Sequence, residues 1–160
     1  MLDENRIIDF SGNVYNKDEF MKMLRKYDSE GYSVYIGTDS QVIKNIVSIV
    51  TAICFHKKDE DKNASSKVFY MKEKIKDKKY LPLRSRMLLE AYRSIELAME
   101  VDQFISGKLE VHLDIGDTKK SKTSAYEREL KSLVLSQGYS CAIKPDSWAS
   151  SSVADRVAKA

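Results

Sequence analysis

The stretch Ile36-Gly37-Thr38-Asp39-Ser40-Gln41 decides the fold, because it places an aspartate directly after an apolar run. The run before it, residues 32–36, is aromatic and β-branched and predicts a strand. An unpaired carboxylate is costly to bury, so an aspartate at the tip of such a strand indicates a cationic partner. We therefore expect Asp39 to end the first strand and to face a cation.

A second strand-like segment, residues 108–116, carries Asp114 seventy-five residues after Asp39. Two carboxylates borne on strands predict a divalent metal site, provided that Asp39 and Asp114 meet in space. Carboxylates are hard oxygen ligands, which suit Mg²⁺ or Mn²⁺ better than zinc.

Composition indicates an ordinary globular chain. Its 160 residues, 42% hydrophobic and 32% charged, suit one domain with a sizeable core. The sequence contains neither the ~20-residue apolar run of a membrane span nor a signal-peptide pattern at residues 1–5. We expect a single cytoplasmic domain over residues 1–160, with residues 1–30 as an N-terminal extension. Cys54 and Cys141 lie in apolar segments, and we expect both to be small buried side chains rather than zinc ligands.

The net charge is only +3, but the basic residues are clustered. Such clusters either neutralise nucleic-acid phosphates or form solvated loop faces. They lie at residues 72–79, at Arg84 and Arg86, and at Lys119, Lys120 and Lys122.

The order of predicted elements gives the architecture. A hairpin over residues 6–15 precedes a helix capped by Asn16 and ending near Ser29. Three strands joined by polar turns then form an antiparallel meander. Later strands follow helical crossovers, so we expect them to lie parallel to the first strand. The remaining predicted elements are strands at 46–55 and 67–72, helices from Pro82 to Asp102 and from Ala125 to Gln137 (capped by Thr123 or Ser124), a strand at 139–144, and a last helix capped by Ser150-Ser151-Ser152. The result is an α/β fold with a mixed five-stranded sheet, three antiparallel strands then two parallel, flanked by helices.

This order, together with Gly37-Thr38-Asp39-Ser40, resembles the ribonuclease H-like superfamily. The motif at residues 36–41 and the segment from Lys144 to Arg156 resemble more narrowly the bacterial YkuK-type group of that superfamily, over residues 30–160. The resemblance implies four carboxylates: one on the first strand, one on the helix after the meander, one on the fourth strand and one near the C-terminus.

Carried over by position, Asp39 and Asp114 match the two strand carboxylates. The helix offers Glu90, Glu96 and Glu100, and Glu90 is the best match because its helical neighbours form a largely apolar flank. A snorkelling flank residue is the alternative for Glu90.

The last carboxylate is Asp155 or Asp146. We favour Asp155, because the superfamily usually places this group on a helix, whereas an aspartate after a proline suits a turn.

The resemblance further implies a metal-dependent nuclease. Four clustered carboxylates raise one another's pKa unless cations are bound, and two Mg²⁺ or Mn²⁺ ions ~3.5–4 Å apart relieve that repulsion. The expected reaction is phosphodiester hydrolysis of RNA or of an RNA–DNA hybrid. The expected substrate contacts are Ser40, Gln41, Lys119, Lys120, Lys122 and Arg156.

One departure from the pattern of familiar ribonucleases H concerns histidine. A histidine often precedes the final aspartate there, but Trp148 and a serine run stand in that region. We expect His56 and His112 to be structural or surface residues, and Trp148 to anchor the last helix rather than stack on a base. Two other functions remain open: a nucleic-acid-binding module without turnover, and a protein-interaction domain whose aspartates are structural.

Overall fold

The computed structural model describes residues 1–58, 60–61, 63–116 and 124–159. Within these residues a seven-stranded mixed sheet has the order β2-β1-β5-β4-β3-β6-β7. The strands are β1 Ile7–Asp9, β2 Val14–Tyr15, β3 Ser33–Ile43, β4 Ile46–Lys58, β5 Ala64–Ile75, β6 Leu109–His112 and β7 Ser140–Ala142. The helices are α1 Lys17–Ser29, α2 Leu83–Val101, α3 Glu127–Ser136 and α4 Asp155–Lys159.

The predicted mixed α/β sheet is confirmed, but the count of five strands is wrong. Strands β3, β4 and β5 form the antiparallel meander, and β6 and β7 join in parallel after their helical crossovers. The two additional strands belong to the N-terminal hairpin. That hairpin pairs Ile8 with Tyr70 of β5 and so extends the sheet instead of lying outside it.

The helix boundaries follow local chemistry. Asn16 and Glu19 form a capping box at the start of α1, and Pro82 immediately precedes α2. Of the two predicted caps of α3, Ser124 does not cap the α-helix, because Ser124–Tyr126 form a 3₁₀ turn and α3 begins at Glu127 rather than at Ala125. Thr123 lies outside the described residues.

The C-terminal segment also differs from the prediction. Ala149–Ala154 form a π-helical turn that continues directly into α4, so the three serines lie inside the helical segment and do not cap it. Trp148 precedes this segment, and its ring packs 4.9 Å from Tyr35 and 5.3 Å from His112. Trp148 therefore anchors the segment to the sheet, as predicted.

The two faces of the sheet have different coverings. Helices α1, α2 and α3 pack on the first face through a large apolar cluster that includes Phe20 and Ile36. The C-terminal segment packs on the second face, where Cys54 is fully buried against a smaller apolar cluster. Because strand side chains alternate, β3 serves both faces. No helix among the described residues is long and apolar enough to cross a membrane.

Gly37 explains how the C-terminal segment comes so close to β3. A Cβ at this position would lie 2.3 Å from the backbone nitrogen of Ser150, well inside van der Waals contact. The glycine therefore allows the segment to pack directly on the strand backbone, two residues before Asp39.

Candidate active site

Asp39 lies within β3 and not at its tip, because the strand continues to Ile43. Only 6% of Asp39 is exposed. Its neighbour Ser40 contacts α2, so alternation directs Asp39 to the opposite face, toward the C-terminal segment. The expectation of a strand tip was wrong because the strand-forming pattern resumes after the aspartate.

Glu90 reaches the same region from α2. It is half-buried, and the Ser40 hydroxyl donates a hydrogen bond of 2.7 Å to its Oε1. The other two glutamates of this helix are engaged elsewhere. Glu96 pairs with Arg93 at 3.0 Å, and Glu100 pairs with the N-terminal ammonium at 2.7 Å. Of the three, the structure brings Glu90 to Asp39.

Asp114 follows the end of β6 by two residues. It accepts a hydrogen bond of 2.9 Å from Ser151 Oγ, and it forms an ion pair with Lys144, whose Nζ lies 3.0 Å away. Its side chain remains 19% exposed. These contacts join β6, the strand-end loop after β7 and the C-terminal segment around one carboxylate.

Asp155 is the first residue of α4 and approaches Asp39 closely enough to share a hydrogen bond with it. Its other partner is Lys159, one turn later, at 2.8 Å. Asp146 is exposed in a turn closed by its own N–H, which donates to the Ile143 carbonyl at 2.8 Å. The structure thus places Asp155, and not Asp146, beside Asp39.

Burial and neighbouring acids raise the pKa values of two of the carboxylates, Asp39 and Glu90. Burial raises the pKa of Asp39 to about 8, with further contributions from Glu90, from the hydrogen bond to Asp155 and from Asp114. Burial also raises the pKa of Glu90 to about 7, while the Ser40 hydrogen bond and Arg86 oppose this shift. Shifts of this direction arise when carboxylates are buried and lie near other negative charges.

The donor set fits a hard divalent cation, because every member is a carboxylate. In the described residues, however, no group of three or more His, Cys, Asp or Glu side chains is arranged ready to hold a metal ion. Asp114 and Asp155 are instead paired with Lys144 and Lys159, and Glu90 accepts a hydrogen bond from Ser40. The hydrogen bond and charge of Asp155 raise the pKa of Lys159, and the charges of Asp39 and Asp114 add to this shift.

The residues expected to contact substrate lie in different places in the structure. The Ser40 hydroxyl is occupied by Glu90 and positions that carboxylate. Gln41 is half-buried and follows Asp39 by two residues on the same strand, so alternation gives both side chains the same face. Arg156 is exposed beside Asp155. Lys119, Lys120 and Lys122 lie outside the described residues.

His112 has a positioning role that the sequence did not reveal. Its ring is 1% exposed, its Nδ1 accepts the Ala149 N–H at 3.0 Å, and its Nε2 lies 2.9 Å from Glu110. Burial lowers its pKa, which favours the neutral ring that this pairing requires. Its position in a strand predicted a structural residue correctly, but not its link to the C-terminal segment.

Lysines 144 and 159 were also missed. Both are ordinary exposed residues by sequence, and only the folded chain shows their carboxylate partners. The i, i+4 spacing of Asp155 and Lys159 was the one available signal.

Comparison with known proteins agrees with this architecture. The family described as Ribonuclease H-like matches residues 17–159. The uncharacterised protein YkuK of Bacillus subtilis (strain 168) is 30% identical over 152 residues, which cover 85% of this chain and 84% of that protein.

Proposed function

The chain belongs to the ribonuclease H-like family, with a YkuK-type relative, and from this premise we propose that it is a metal-dependent nuclease. One observation carries the proposal. Glu90, Asp155 and Asp114 all contribute to the raised pKa of Asp39, about 8, and the pKa of Glu90 is itself raised to about 7. A cluster this unfavourable by itself indicates a bound cation.

The cation is Mg²⁺ or Mn²⁺, held as two ions by the four carboxylates. When bound, such ions lower the pKa of an attacking water and stabilise the leaving oxygen at phosphorus. RNA or an RNA–DNA hybrid is the proposed substrate, by analogy with the family rather than from a contact in this chain.

The protein's own residues prepare the cluster. Ser40 fixes the orientation of Glu90, and Ser151 does the same for Asp114. The exposed Arg156, next to Asp155, is placed to pair with a phosphate of the bound strand. The two serine contacts are present in the free protein, so the site is partly organised before any ligand arrives.

A nucleic-acid-binding module without turnover is the second candidate, and a specific observation favours it. Lys144 and Lys159 already pair with Asp114 and Asp155. If these ammonium groups were permanent, the cluster would need no metal and would have no catalytic role.

The deciding experiment is a cleavage assay on labelled single-stranded RNA, single-stranded DNA, both duplexes and an RNA–DNA hybrid, with Mg²⁺, Mn²⁺ or EDTA. Asp39→Asn and Asp114→Asn should each abolish cutting, since each removes a proposed ligand. Glu96→Gln and Asp146→Asn are the matched controls, because neither carboxylate belongs to the cluster, and both should leave cutting unchanged. Absence of metal-dependent cutting on every substrate would refute the nuclease and leave the binding module.

A further inference from the structure

An exposed aromatic and basic platform lies on the second face of the sheet, outside the carboxylate cluster. Its members are Phe10, Tyr70, Lys72 and Arg156. Phe10 is 52% exposed, and its ring centroid lies 6.2 Å from that of Tyr70. The Arg156 guanidinium carbon is 5.9 Å from the Phe10 centroid, and Lys72 Nζ is 6.0 Å from the Tyr70 centroid.

The hairpin holds Phe10 in this exposed position. Asp9, just before it, accepts hydrogen bonds from the backbone N–H groups of Ser11 and Asn13, both at 2.9 Å, and from the Tyr15 hydroxyl at 2.7 Å. Gly12 completes the turn with a φ of +87°, which a glycine adopts without strain. The aromatic ring is therefore presented to solvent by a rigid turn.

Strand register connects the platform to the cluster. Asp39 pairs with Val50, and Val50 pairs with Lys72, so these three residues share one row and one face across β3, β4 and β5. Neighbouring strands lie ~4.8 Å apart, which puts Lys72 about 10 Å from Asp39 along the row. The next row on this face joins Gln41, through Ser48, to Lys74.

A groove continues from the platform along α4. It has a volume of about 560 Å³ and is lined by Lys44, Lys72, Lys74, Val157 and Ala158 among others. Its wall is partly apolar and partly charged, with three lysines and one carboxylate, that of Glu73. The helix that forms one side, through Val157 and Ala158, begins with Asp155.

We propose that this platform and groove bind a single-stranded segment of nucleic acid, with an unpaired base stacked on Phe10 and phosphates on Lys72, Lys74 and Arg156. An exposed ring beside guanidinium and ammonium groups matches the combination of stacking surface and basic track that single strands require. A paired base does not offer its face to Phe10, so a blunt duplex cannot use the platform, and the inference narrows the proposed substrate to nucleic acid with an unpaired segment. This inference rests on the proposed function only in making the bound strand the substrate of the carboxylates.

The test is fluorescence anisotropy in EDTA, which needs no turnover, with labelled single-stranded RNA, single-stranded DNA, blunt duplex and heparin as a polyanion without bases. Phe10→Ala should weaken binding of both single strands about 5- to 50-fold and leave heparin binding unchanged. Phe10→Trp should preserve binding. Tyr92→Ala is the matched control, because Tyr92 is 50% exposed on α2, on the other face, and it should have no effect.

The salt dependence separates stacking from charge. Lys72→Ala with Lys74→Ala should reduce the slope of log K against log salt by about 1.4, since each phosphate contact of a single strand contributes ~0.7. Phe10→Ala should leave that slope unchanged. The pair Lys22→Ala and Lys26→Ala, on exposed positions of α1, should alter neither affinity nor slope.

The proposal would be overturned if Phe10→Ala reduced the affinity for heparin and for single strands equally. It would also be overturned if the wild-type protein bound the blunt duplex more tightly than either single strand. The two proposals also fail separately. Cleavage that is insensitive to the platform variants would leave the nuclease standing and refute the platform. Binding that depends on the platform, without any cleavage, would support the platform and refute the nuclease.

Discussion

Asp39→Asn should stabilise the metal-free protein, although it removes the central carboxylate of the site. Asp39 has its pKa raised from 3.8 to about 8 by burial and by the neighbouring acids. Between about pH 4 and pH 8 the folded state therefore keeps a proton that the unfolded state has lost, and the free energy of unfolding falls as the pH rises through this window. Above about pH 8 the carboxyl is ionised in both states, so this destabilisation no longer grows with pH.

The magnitude follows from the size of the shift. A change from 3.8 to about 8 is roughly four pKa units at 1.36 kcal/mol each, or about 5 kcal/mol at pH 8 and about 2 kcal/mol at pH 5. Asparagine is still a buried polar group, and its burial is still costly. We therefore expect the free energy of unfolding of Asp39→Asn to exceed that of the wild type by about 2–4 kcal/mol at pH 8. For a chain of this size that gain raises Tm by roughly 5–12 °C.

The assay is thermal unfolding of wild type and Asp39→Asn in EDTA at pH 5 and pH 8, repeated with Mn²⁺. The gain in Tm should be larger at pH 8 than at pH 5. Mn²⁺ should stabilise wild type and not the variant, since binding to the folded state alone raises Tm. Asp146→Asn, at an exposed turn, should change nothing. An Asp39→Asn protein that is less stable than wild type at pH 8 would refute the account of a repulsive cluster.

Three further changes test the surroundings of the cluster. Gly37→Ala should lower the free energy of unfolding, measured by urea denaturation, by about 3 kcal/mol or more, because the added Cβ would meet Ser150 nitrogen at 2.3 Å. The control is Gly107→Ala, whose added Cβ would have its nearest neighbour 3.6 Å away. Lys159→Met should tighten Mn²⁺ binding about 2- to 5-fold by calorimetry, because it frees a carboxylate from an exposed ion pair; unchanged or weaker binding would contradict this. Ser40→Ala removes the hydrogen bond that lowers the pKa of the α2 carboxylate, so the midpoint pH of Mn²⁺ binding should rise; a midpoint that stays or falls would show that Ser40 does not tune this group.

The parts of the fold that local pattern controls were predictable. The capping box at Asn16, the proline before α2 and the β-branched runs of the meander each fix their element through contacts with near neighbours in sequence. The N-terminal hairpin was also visible as a turn around Gly12. Its pairing with β5 was not, because Ile8 and Tyr70 are far apart in the chain and an edge strand accepts a partner through backbone groups alone.

The candidate site divides in the same way. The sequence pointed to Asp39 and Asp114 because a carboxylate in an apolar strand is conspicuous, and helical geometry singled out Glu90. The lysine partners of Asp114 and Asp155 could not be found in this way. A lysine has a long flexible stem and an ordinary surface preference, so its ammonium finds its partner only through tertiary structure.

Asp155 lies beside Asp39 although the two carboxylates repel each other when both are ionised. The C-terminal segment is attached by contacts that do not depend on charge repulsion: the Ala149 N–H donates to His112, Ser150 rests on the bare backbone of Gly37, and Ala154 and Val157 pack into the apolar cluster on the second face. Because these contacts are neutral, they persist when the carboxylates ionise. The segment can therefore hold Asp155 at Asp39 in a state that electrostatics alone would separate. The position of Asp155 is thus set by packing and hydrogen bonds, while Lys159 balances part of its charge.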